Sequence, residues 1–122
     1  MIVRCRLTFG WIGLLASLFA ASAASAGTPP HEAAYQQARR AYYAFKADEH
    51  KQKFRHNWQN VARKFERVFE EYPGSPRAPD ALYTAGKLYH DLYVISRVGE
   101  DLDKAIGLFQ SLVKRVPSNH LA

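Results

Sequence analysis

The same order of apolar residues occurs twice in this chain at nearly constant offset. Phe65, Phe69, Tyr72 and Pro73 return as Phe109, Val113, Val116 and Pro117, each 44 residues later. Ala34, Ala38 and Tyr42 return as Ala81, Ala85 and Tyr89, each 47 residues later. Within each set the spacings are three and four, which place the residues on one face of a helix. A chain that repeats helical faces in this way builds each repeat from a pair of helices. Neither repeat can bury its apolar face alone, so the pairs must stack. Alternating runs of strand type are absent.

The pattern predicts four helices. The first runs from about Glu32 to Ala47 with Ala34, Ala38, Ala41, Tyr42 and Phe45 inward. Asp48 to Lys53 is a charged break. The second runs from Arg55 to Glu71, with Trp58, Val61, Ala62, Phe65, Val68 and Phe69 as its stripe. Pro73-Gly74 ends it. Ser75 is read as the cap of the third helix and Pro76 as its first residue, with Pro79 still in the first turn. That helix extends to about Tyr93. The fourth spans about Glu100 to Val116, with acidic residues at its start and Lys114 and Arg115 at its end, as the helix dipole favours.

Residues 1–26 are read as a secretory signal peptide. Arg4 and Arg6 precede an apolar run from Leu7 to Ala20, and Ala24-Ser25-Ala26 supplies small residues for cleavage between Ala26 and Gly27. An uncleaved anchor is the alternative, but the run is short for a span of about 20 residues. Cys5 lies before the run, so the mature chain is expected to hold no thiol and no disulfide. Residues 27–31 form a leader, 32–116 the repeats, and 117–122 read as the start of a truncated third repeat: Pro117, Ser118 and Leu121 resemble Pro73, Ser75 and Leu82. On that reading the last helix exposes an apolar edge, a place for self-association. Losing Arg4 and Arg6 lowers the formal charge from +6 to +4. Export argues against nucleic acid as a partner. The expected location is periplasmic or secreted, with membrane contact only through the signal peptide.

These residues resemble the tetratricopeptide repeat. Leu82, Gly86 and Tyr89 stand where that family places a large apolar residue, a small residue and a tyrosine. Ala105, Phe109 and Pro117 stand where it places its second small residue, its aromatic and its closing proline. The resemblance implies an all-α fold of two helical hairpins in a right-handed stack, with Tyr89 and Phe109 filling the gap between hairpins. The repeats here are longer than the family's usual length of about 34 residues. The phrase from Tyr72-Pro73-Gly74-Ser75 through Ala78, Ala81, Leu82, Tyr83, Gly86 and Tyr89 is similar to bacterial envelope repeat proteins such as the Tol-Pal cell-division coordinator. The runs YYAFK, FRHNWQNVARKFERVFEEYP and SRVGEDLDKAIGLFQSLV resemble the N-terminal region of secreted N-acetylmuramoyl-L-alanine amidases. That resemblance implies an accessory region of a peptidoglycan amidase. A free-standing envelope scaffold in cell division or outer-membrane assembly is the alternative.

A zinc amidase needs several protein ligands and an open position for water. His31, His50, His56, His90 and His120 form no ligand pair, so no catalytic residue or cofactor is expected in this chain. Zinc would belong to a downstream amidase domain. Two binding surfaces are expected instead. Tyr35, Arg39, Tyr83 and Lys87 are candidates for a concave surface that holds a protein or peptide partner. Arg63, Lys64 and Arg67, within a wider basic group that includes Lys46, Lys51, Lys53 and Arg55, are candidates for docking an anionic polymer such as peptidoglycan.

Overall fold

The computed structural model describes residues 27–115. The signal segment, Ala26 of its cleavage site, Val116 and the 117–122 repeat start lie outside the described residues, and Gly27 is exposed. The described chain is all-α. Helices α1 (Pro30–Lys46), α2 (Arg55–Glu71), α3 (Ala78–Ser96) and α4 (Gly99–Arg115) follow one another, with a short 3-10 turn at Lys51–Lys53. Each helix packs chiefly on its neighbours in sequence, so α3 lies between α2 and α4.

The break between α1 and α2 is more ordered than its charge suggests. Asp48 Oδ1 accepts the Lys51 backbone N–H at 3.0 Å. The Gln52 amide donates to the carbonyls of Phe45 and Lys46 at 3.2 and 2.9 Å, satisfying the open end of α1. The Trp58 indole N–H donates to the Gln52 carbonyl at 2.8 Å, which ties the turn to the core of α2. Helix α1 itself starts at Pro30, two residues before the expected Glu32. Its first N–H groups lack helical partners anyway, so proline is tolerated there.

Helix α3 departs from expectation at both ends. It begins at Ala78, after Arg77, and not at Pro76 with a Ser75 cap. A helix begun at Pro76 would put Pro79 at its fourth position, where a backbone N–H is needed. Starting at Ala78 moves Pro79 to the second position, where none is needed. Ser75 instead shapes a turn: its N–H donates to the Tyr72 carbonyl and its carbonyl accepts from Ala78. At the far end α3 continues three residues past Tyr93. Arg97 stops it in the left-handed region, φ 57°, with its N–H on the Tyr93 carbonyl at 2.8 Å.

The core runs through the middle of the stack. Phe65, Val68, Leu82 and Leu92 are almost wholly buried. Burial of such side chains stabilises by about 1.5–3 kcal/mol each. Small residues set the helix spacing. Ala38, Ala62, Ala81, Ala85 and Ala105 are buried, and a Cβ added to Gly86 would lie 2.8 Å from Cε1 of Phe109. Phe109 therefore lies on Gly86 inside the second helix pair, not in the gap between pairs as expected. Tyr89 does reach across, donating from its hydroxyl to Glu66 Oε2 of α2 at 3.2 Å.

Candidate functional site

The two helix pairs are joined by three polar clamps, each using a carboxylate that the apolar stripes do not announce. At one end Arg77 grips Glu32 of α1 through two bonds of 2.6 and 3.0 Å and lies over the Tyr35 ring at 4.7 Å. The hydrogen bonds from Arg77, with one from Gln36, hold the Glu32 carboxyl down at about 2. At the other end Arg55 of α2 grips Asp101 of α4 at 2.8 and 2.9 Å. Asp101 is 1% exposed and also accepts from Ser96 Oγ at 2.9 Å. The Arg55 hydrogen bonds hold the Asp101 pKa below its ordinary value, against the opposing effect of burial. Between them, buried Glu66 accepts from Lys104 Nζ at 2.8 Å and from the Tyr89 hydroxyl. Burial, with Glu66 nearby, pushes the Tyr89 phenol up to about 12.

A concavity of about 540 Å³ lies between α1 and α3. Tyr35, Arg39, Tyr83 and Lys87 all line it. Their convergence follows from helix geometry. Tyr35 and Arg39 are one turn apart on α1, as are Tyr83 and Lys87 on α3. The floor is aromatic: Tyr35 is nearly buried and meets Phe65 edge-on at 6.0 Å, and Tyr42 meets the same ring at 6.3 Å. Burial pushes the Tyr35 phenol up. Tyr43 and Tyr83 are 58% and 44% exposed, one from each helix.

The charges of this groove are largely committed. Arg77 also holds Asp80 at 3.3 Å, and Lys87 holds Asp91 at 3.3 Å. Arg39 differs. Its guanidinium lies 5.6 Å from the Tyr43 ring centre and donates to that hydroxyl at 3.3 Å. Among the described residues it has no carboxylate within ion-pair distance. It is the groove's open cation.

Tyr43, Arg77, Asp80 and Asp91 also line the groove and were not anticipated. Arg77 sits in the interhelical phrase, where no periodicity points to a groove. Tyr43 could have been found as the i+4 neighbour of Arg39.

Arg63, Lys64 and Arg67 are all exposed on α2, and they line two recesses that share Arg67. Arg63 and Arg67 line one with Lys104, and Lys64 lines the other with Arg67, Gln37 and Glu71. Arg55 leaves the expected basic group altogether, because Asp101 and Glu100 hold it against α4. Lys51 pairs with Asp48 at 3.9 Å. His50, His56 and His90 are exposed and His31 is half-buried, while His120 lies outside the described residues. Among the described residues no cluster of three or more His, Cys, Asp or Glu could hold a metal ion, and no helix is long and apolar enough to cross a membrane. Comparison with protein-family models, with curated proteins and with solved structures gave no match.

Proposed function

We propose that this chain is a helical-repeat interaction module of the cell envelope. Residues 32–116 form two tetratricopeptide-like hairpins in a right-handed stack, exported by the 1–26 signal. The groove between α1 and α3 holds a peptide segment of a protein partner. The convergence of Tyr35, Arg39, Tyr83 and Lys87 on one open, tyrosine-floored groove carries this reading. Exposed tyrosines supply large contact area at low entropic cost. Arg39 donates to the Tyr43 hydroxyl but faces no carboxylate among the described residues, so its remaining donors can take a polar anchor on the ligand.

The resemblance of YYAFK and the α2 and α4 runs supports a narrower placement. In it the module is the accessory region of an N-acetylmuramoyl-L-alanine amidase and positions a catalytic domain on the wall. Zinc chemistry would belong to that domain.

Photocrosslinking tests the groove. A photoreactive residue at Tyr83 is expected to capture peptides of one envelope protein, and Arg39→Ala is expected to abolish the capture without lowering the melting temperature. Equal capture from a probe at Lys64, which lies outside the groove, would defeat the assignment.

A further inference from the structure

A smaller recess of about 210 Å³ lies where α2, α3 and α4 meet, lined by Arg63, Glu66, Arg67, Glu70, Tyr89 and Lys104. Three cations and two carboxylates leave it one positive charge in excess. The distribution matters more than the sum. Glu66 is 7% exposed and already accepts from Lys104 and from Tyr89, so its charge is answered within the fold. Lys104 commits one donor to Glu66 at 2.8 Å and retains two. Arg63 and Arg67 are exposed and, among the described residues, neither has a carboxylate within ion-pair distance. They stand one turn apart on α2, so both guanidinium forks can close on one group between them. Glu70 is the remaining charge that opposes an anion there.

We propose that this recess binds a phosphate group, with Arg63 and Arg67 as the clamp and Lys104 as the third donor. A tetrahedral oxyanion presents enough oxygens for two forks and an ammonium, whereas a carboxylate saturates a single fork. Lys64 is not among the residues that line this recess, although the recess it does line shares Arg67, so it is assigned no part in the clamp. The site is separate from the peptide groove and stands or falls without it.

The test follows the amide and guanidinium resonances of the full chain during titration with inorganic phosphate at low ionic strength. Sodium chloride at matched ionic strength is the control. Phosphate is expected to move Arg63, Arg67 and Lys104 saturably while chloride does not. The Arg63→Gln/Arg67→Gln variant should weaken binding by about tenfold or more, since it removes both charge-assisted forks of the clamp. Lys64→Gln should leave it unchanged. All three positions are exposed, and melting curves confirm that the variants stay folded. Equal responses to chloride, or equal weakening by Lys64→Gln, would overturn the site in favour of diffuse surface charge. A polyphosphate chain binding at least tenfold tighter than inorganic phosphate assigns the site to a polymer. Matched affinities assign it to the free ion.

Discussion

Helices α2 and α4 carry one apolar stripe, written twice 44 residues apart, and the two copies meet different surroundings. Ala62 and Phe65 are each 1% exposed, on a helix packed between α1 and α3, and Phe65 meets the rings of Tyr35 and Tyr42 of α1. Ile106 stands in the place of Ala62 and is 45% exposed, and Val113 stands in the place of Phe69 and is 68% exposed. Glu66 of α2 is buried against Tyr89, while Gln110 at its counterpart position is exposed. A periodic stripe therefore reports which face of a helix is apolar. It does not report what covers that face.

The sharpest test of the contrast uses the repeated phenylalanine. Phe65→Ala should cost about 3–5 kcal/mol in urea denaturation, as a fully buried aromatic does. Phe109→Ala should cost about half of that, because Phe109 is only half-buried. Equal losses would mean that both faces are covered in solution, and the contrast would break.

The polar clamps extend it. Arg55→Ala strands the carboxylate of Asp101, which is 1% exposed, and should cost about 3 kcal/mol. Adding Asp101→Asn should restore part of the loss, because the buried charge disappears with its partner. If the double variant is as unstable as the sum of the single ones, the bidentate geometry at 2.8 and 2.9 Å is not what holds α2 to α4.

Gly86→Ala tests the close approach of α3 and α4. The new methyl would meet the Phe109 ring at 2.8 Å, so a loss of about 1–3 kcal/mol is expected. In a Phe109→Ala background the sign should reverse, because alanine is the better helix former by about 1 kcal/mol. Persistent destabilisation in that background would place the constraint in the helix backbone rather than in the ring.

Acid should loosen both ends of the stack. Glu32 and Asp101 have folded-state pKa values below their ordinary ones, Glu32 at about 2. Their contribution is complete above about pH 4.5, the ordinary carboxyl range. It fades as pH falls towards the folded values. Glu32→Gln should flatten this part of the stability profile, and an unchanged profile would remove the Arg77 clamp as its cause.

Periodicity was sufficient to find four helices, the buried Phe65 and Ala85, and the one-turn pairings of Tyr35 with Arg39 and of Tyr83 with Lys87. These depend on spacing within a helix, which 3.6 residues per turn dictates. The clamps were illegible because each joins residues between 23 and 46 apart across packed helices. Glu66 on an apolar stripe is the nearest thing to a sequence signal, since a carboxylate there must find partners or unfold the face. The start of α3 was misplaced because two prolines, Pro76 and Pro79, each fit a helix opening alone and only the second fits once both are considered.

The smallest expected effect bears most directly on α4. Ile106→Ala removes apolar surface that is 45% exposed, so its cost should stay below about 0.5 kcal/mol. The loss should also be independent of protein concentration. A cost above about 1.5 kcal/mol that grows with concentration would mean that a second molecule covers this face in solution. The helix would then behave as α2 does, with another chain supplying what α3 supplies within the stack. A large cost that ignores concentration would instead require cover from within the same chain. Either result would replace the contrast between the two stripes with an equivalence, because residues at the same place in the repeat would then meet the same kind of neighbour.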